Sequence, residues 1–192
     1  MNNKITGAIL SGGRNSRMGG RNKAFMEVNG ISILDRTAAL FKTIFNEIII
    51  VTNSQDEYSK YSGKCTIITD IIKNIGPLGG IHAALSTAKN NAVFFAACDM
   101  PNLHNEIIIS QIDCYNKIKC DALVPRIKTL IEPLHAIYKK HLKDSIEAYL
   151  KNSNNYSIKD FLKTVKTAYL DMDDFADYKK IFKNINTPND IL

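Results

Sequence analysis

Ile5-Thr6-Gly7-Ala8-Ile9-Leu10 runs without a break into Ser11-Gly12-Gly13-Arg14-Asn15-Ser16-Arg17-Met18-Gly19-Gly20-Arg21-Asn22-Lys23. The first six residues form a short, mostly apolar run that ends on turn residues, the pattern of a buried strand. A loop carrying four glycines and three arginines follows. After the first strand of a parallel sheet, such a loop lets backbone N–H groups approach a phosphate chain, because glycine presents no Cβ. Arg17 and Lys23 add positive charge, and Gly12 and Gly13 form the close-approach point. The spacing matches neither GxGxxG nor GxxxxGK[ST], so dinucleotide-binding and P-loop readings are excluded. A surface turn rich in glycine and arginine is the competing explanation.

Outward from this stretch, apolar runs at 48–52, 66–69, 93–97 and 122–124 supply further strands. Helical patterns fall between them. Leu34, Ala38, Phe41 and Phe45 occupy i, i+4, i+7 and i+11, one stripe of a helix. Further helices are expected at 80–88, 105–117, 144–150 and 158–163, with a later strand, antiparallel in one reading, at 134–138. Strand alternating with helix predicts an α/β fold, a three-layer sandwich around a mainly parallel, Rossmann-like sheet. No repeat or linker divides residues 1–192, which read as one domain.

In open α/β sheets ligands gather at the carboxyl ends of the strands. Asn53 closes the second expected strand, Asp70 the third, and Asp99 follows the apolar run Phe94-Phe95-Ala96-Ala97. Three polar residues at successive strand ends converge on one edge. A lone carboxylate there suits Mg²⁺ held against substrate phosphates, which makes Asp99 the expected metal ligand; taken alone, it serves equally well as a helix N-cap. Gly76-Pro77 signals a turn, and Gly79-Gly80 offers a second close backbone approach at a helix start. His135 reads as a packed or rim histidine rather than a catalytic base, since no carboxylate or nucleophile is placed beside it by sequence. Asn186-Thr187-Pro188 has the form of a strand exit, an N-cap threonine and an N1 proline.

The 192 residues are 45% hydrophobic and 23% charged, ordinary for a globular protein. No stretch reaches the roughly 18–20 apolar residues that span a bilayer, so no membrane association and a cytoplasmic location are expected. The net charge of +6 suits polyanions. The lysines scatter without a basic block interleaved with aromatics, which argues against nucleic acid and for small phosphorylated molecules. The four cysteines form no CxxC pair and read as reduced thiols.

Residues 10–13 with Arg17-Met18-Gly19 and Lys23, then 76–81, 98–101, 132–138 and 184–188, follow one another in an order that resembles the bacterial molybdenum cofactor guanylyltransferases. These sit within the larger set of sugar-nucleotidyltransferase-like enzymes. The N-terminal motif marks only that larger set; Glu132-Pro133-Leu134 and Asn184-Ile185-Asn186-Thr187-Pro188 narrow it. The resemblance implies a sheet of the nucleotide-diphospho-sugar transferase type and transfer of GMP from GTP to molybdopterin, with or without its molybdenum, releasing pyrophosphate. It implies that Leu10, Ser11 and Gly12 contact the guanine and ribose and that Arg17 and Lys23 hold the triphosphate. Asn53 and Asp70 complete a nucleotide pocket that includes Gly13 and Gly79, and Asp99 binds Mg²⁺, so that Arg17, Lys23 and Asp99 form the catalytic set. Glu132, Asn184 and Asn186 fall on the acceptor side, which divides the chain at about residue 100. Ser11 stands where the family commonly has alanine and is expected to add a hydroxyl near the base. Other cofactor-assembly proteins or molybdoenzyme chaperones are the macromolecular partners the resemblance admits. The alternatives are a cytidylyltransferase or other nucleotidyltransferase, and a non-catalytic nucleotide-binding adaptor in cofactor assembly.

Overall fold

The computed structural model describes residues 4–12, 22–173 and 182. Gly13, Arg17, Asn184, Asn186 and the helix start expected at Thr187-Pro188 lie outside the described residues. β1 (Ile5–Leu10) is buried along its whole length because it has a parallel partner on each side, β4 (Ile48–Val51) and β6 (Ala92–Ala97). β5 (Thr66–Ile68) extends the sheet parallel to β4. On the other side β9 (Ile137–Lys139) runs antiparallel between β6 and β7 (Ala122–Ile127). β10 (Thr167–Asp171) pairs parallel with β7, and β8 (Leu130–Ile131) folds back on its end. The order is β10-β7-β9-β6-β1-β4-β5. β2 (Glu27–Val28) and β3 (Ile31–Ser32) form a separate hairpin. Its turn residues, Asn29 and Gly30, both have positive φ (55° and 75°), as a two-residue hairpin turn requires.

Alternation along β6 sends Val93 and Phe95 to one face and Phe94 and Ala96 to the other, and two apolar layers form on them. On the first face α2 (Pro77–Thr87), α4 (Leu142–Asn152) and α5 (Ile158–Leu162) bring Leu78, Ile81, Ile146 and Phe161 against Phe95 and Tyr138. On the second, α1 (Ile33–Ile44) and α3 (Asn105–Lys117) bring Leu34, Ala38, Phe41, Ile108 and Ile112. The three layers expected from the alternation of strand and helix are therefore present. Ser32 caps α1 by accepting from Asp35 N–H at 3.0 Å. Phe41 and Phe45 press on β1 so closely that a Cβ at Gly7 would lie 2.5 Å from the Phe45 ring.

α2 starts at Pro77, three residues before the expected start, because Gly76 takes a left-handed turn (φ 63°) and proline fits the first helical position. The expected later strand is antiparallel and shifted toward its C-terminal end: Leu134 and Ala136 still accept from Ala97 and Phe95 before the paired stretch begins. Among the described residues no helix is long and apolar enough to cross a membrane.

Candidate functional site

Because β5, β4, β1 and β6 are parallel neighbours, the residues after their C-terminal ends emerge side by side on one edge. These are Asp70, Asn53, Ser11-Gly12 and Asp99. Asn53 links two of them, donating from Nδ2 to Asp70 Oδ2 at 3.3 Å and accepting from Thr69 Oγ1 at 2.8 Å. A Cβ on Gly12 would sit 3.6 Å from the same amide nitrogen, so the bare backbone of Gly12 faces Asn53. The antiparallel direction of β9 brings its N-terminal approach to this edge as well. Glu132 arrives there, its N–H donating to Pro125 O and its carbonyl accepting from His135 N–H.

Asp99 occupies a turn after β6, where Met100 N–H donates to Ala97 O. It caps no helix, since α3 begins six residues later behind His104; the N-cap alternative is thereby removed. Lys23 reaches Asp99 from a short 3-10 turn, Lys23–Phe25, with Nζ 3.8 Å from Oδ2. The other oxygen, Oδ1, is buried with no hydrogen-bond partner among the described residues. Burial pushes the Asp99 carboxyl above its ordinary range, against the pull of Lys23 and of its own backbone N–H. Burial also pushes Glu132 up, with Lys159 opposing and Asp99 adding to the shift. Two carboxylates and two lysines thus share the field at the β6 end of the edge.

Lys23 is set by its neighbours. Asn22 Oδ1 accepts from Ala24 N–H at 3.2 Å, Ala24 is fully buried, and the Phe25 ring lies 5.0 Å from that of Tyr58. Tyr58 comes from the 3-10 segment Gln55–Tyr61, whose period of three puts Tyr58 and Tyr61 on one buried face. The Ser11 hydroxyl is 2.6 Å from Tyr58 Oη. Ser11 is buried, and its hydroxyl is engaged by Tyr58. Cys98 lies beneath the same corner, its thiol pushed up to about 11 by burial.

Gly79 and Gly80 also acquire a packing reason. A Cβ on Gly79 would stand 2.7 Å from Ile72 O and 3.5 Å from Asp70 Cγ, and one on Gly80 3.0 Å from Leu10 Cδ2. The start of α2 is thus pressed against both the Asp70 loop and the end of β1. His135 lies fully buried between the rings of Phe94 and Phe182, at 5.0 and 5.1 Å, with neither ring nitrogen bonded among the described residues. Burial lowers its pKa to about 4 and keeps it neutral, as a packed residue. All four cysteines are free thiols. Tyr58 and Asn22, whose contacts span 47 and 36 positions, carry no signal in the sequence, nor does Lys159 beside Glu132.

Residues 7–168 match the MobA-like NTP transferase domain. The chain belongs to that family. A relative from Peptoclostridium acidaminophilum, named a probable molybdenum cofactor guanylyltransferase, is 39% identical over 95% of this chain and 85% of its own. Molybdopterin-guanine dinucleotide biosynthesis protein A from Archaeoglobus fulgidus superposes with a TM-score of 0.79 at 28% identity, over 97% of this chain and 95% of that one. The 4-diphosphocytidyl-2C-methyl-D-erythritol synthase of Anaerococcus prevotii, at 17% identity over 97% and 92% of the two chains, shares the fold with a TM-score of 0.72. The mixed, mostly parallel sheet flanked by helices is accordingly that of the nucleotide-diphospho-sugar transferases.

Proposed function

We propose that the chain transfers GMP from GTP to molybdopterin and releases pyrophosphate. The chemistry rests on one observation, the half-buried Asp99 carboxylate at the strand-end edge, whose buried Oδ1 has no partner among the described residues and whose other oxygen is 3.8 Å from Lys23. The choice of guanine and molybdopterin rests on the likeness to relatives named as guanylyltransferases. In this reaction an oxygen of the acceptor's terminal phosphate attacks the α-phosphorus of GTP, the bond to the bridging β-phosphate oxygen breaks, and pyrophosphate carries away the electron pair. The attacking phosphate oxygen is already anionic, so no general base is required. Positioning and charge neutralisation suffice.

The residues fit a magnesium ion. A hard cation takes carboxylate oxygen and retains several waters, so one protein carboxylate together with substrate phosphates is enough, and Asp99 Oδ1 is a buried oxygen lacking a donor among the described residues. Bound Mg²⁺ would neutralise and orient the phosphates at Asp99. Lys23 stabilises the charge that builds on the transferring phosphate and the leaving group. Asn53, tied to Asp70 and facing the bare backbone of Gly12, holds the nucleoside end. Glu132, on the β9 side, orients the acceptor. Arg17 joins Lys23 on the triphosphate in this reading, and Asn184 and Asn186 lie toward the pterin.

Incubation with labelled GTP, Mg²⁺ and molybdopterin tests the proposal. Pyrophosphate and a guanylated pterin in equal amounts are expected, with CTP a poor substitute. A preference for CTP would make the enzyme a cytidylyltransferase, and nucleotide binding without pyrophosphate release under any NTP would make it an adaptor.

A further inference from the structure

The two ends of the glycine-rich segment are tied to a single oxygen atom. Ser11, where β1 ends and the segment begins, has its hydroxyl 2.6 Å from Tyr58 Oη, and that phenol also lies 3.5 Å from Ser11 O. Asn22, where the segment ends, donates from Nδ2 to Tyr58 Oη at 2.8 Å. A phenol offers one donor and two acceptor positions. Accepting from Asn22 leaves its proton for Ser11, so one hydroxyl satisfies both ends at once. The rest of Asn22 is also engaged, since Nδ2 donates to Glu57 Oε2 at 2.9 Å and Oδ1 accepts from Ala24 N–H at 3.2 Å. Tyr58 itself is fully buried against Phe25, so its hydroxyl is a fixed point.

We infer that Tyr58 is a positioning residue for the nucleotide: its hydroxyl clasps Ser11 to Asn22, fixing the distance between the end of β1 and Lys23 before GTP arrives. With Ser11 and Lys23 held at a fixed spacing, these residues have less freedom to lose when ligand binds, so the clasp raises affinity without touching substrate. The same clasp gives Ser11 a role that alanine at this position lacks.

The inference rests on the proposed nucleotide site, and its test separates the two. Binding of GTP with Mg²⁺ is measured by equilibrium dialysis, without acceptor, for the whole chain and for Tyr58→Phe, which retains the ring and removes only the hydroxyl. Loss of hydrogen bonds of this kind is expected to weaken GTP binding about five- to tenfold. In turnover the KM for GTP should rise by the same factor, with kcat and the KM for molybdopterin nearly unchanged. Ser11→Ala should weaken binding in the native background but add almost nothing to Tyr58→Phe, because both changes open the same link. A native chain that binds no GTP overturns the nucleotide site itself. A native chain that binds GTP, with Tyr58→Phe binding as tightly, overturns the clasp alone. Full additivity of the two substitutions also overturns it, since Ser11 would then act on the nucleotide directly. A loss of thermal stability accompanied by equal losses in kcat and both KM values would reduce Tyr58 to a core residue.

Discussion

Asp99 combines a half-buried carboxylate with an Oδ1 that no donor reaches among the described residues, a costly arrangement. Asp99→Asn retains the shape and removes the charge. Pyrophosphate release is expected to fall by about 10²-fold or more, while the melting temperature of the ligand-free protein stays level or rises. Equal Mg²⁺ titration curves for the two proteins would rule Asp99 out as the metal ligand. Lys23→Ala should lower turnover by about 10²- to 10³-fold. With 3.8 Å between the two charges, the double substitution should cost less than the product of the single losses; independent effects would place them on different partners. His135 gives a pH signature of its own. Its folded pKa of about 4 lies below the unfolded 6.5, so its contribution to stability is complete above pH 6.5 and is lost as pH falls toward 4. That shift corresponds to roughly 3 kcal/mol. Denaturant unfolding between pH 7 and 4 should show the loss in the native protein and much less of it in His135→Phe, whatever the absolute stability of that variant.

Among the elements, the first turn of α2 separates packing from ligand binding. A methyl on Gly79 meets the backbone oxygen of Ile72 at 2.7 Å, which cannot swing aside, whereas one on Gly80 meets the movable end of Leu10 at 3.0 Å. Gly79→Ala should therefore destabilise the fold by about 1–3 kcal/mol, and Gly80→Ala by less. If Gly79→Ala instead leaves unfolding unchanged and abolishes GTP binding, the glycine is there for the nucleotide and not for Ile72. The elements most legible in the sequence were those whose residues have one environment throughout. β1, β4 and β6 are buried on both faces and read as plain apolar runs, and α1 shows its stripe because one side faces the core. β10 went unseen because Tyr169 and its neighbours are only half buried and carry no period. The β2–β3 hairpin has strands of two residues, too short for any period, although Asn29-Gly30 was the available mark. The shared edge of Asn53, Asp70 and Asp99 could be read in the sequence because topology alone aligns these strand ends. Tyr58 could not, since its partners are set by three-dimensional packing across the top of β1 and β4.

At the scale of the whole molecule, alternation of strand and helix was enough to imply a layered sheet, but not where β9 would go. It follows β7 in the chain yet lies between β7 and β6. The parallel block β5-β4-β1-β6 is complete once residue 97 has been made, well before β9 exists. During synthesis, at about 5–20 residues per second, Ala92–Ala97 therefore spends a few seconds as an unprotected, wholly apolar border strand. An uncharged run of this kind without proline is a template for pairing with another chain. A chain ended at residue 128 should accordingly be recovered mainly in aggregates, and adding residues 129–152 should restore recovery by covering that border. Equal recovery of the two lengths would mean that β6 is guarded by something other than β9. Restored recovery would make the strand that brings Glu132 to the strand-end edge also what ends the nascent chain's exposure to its neighbours on the polysome.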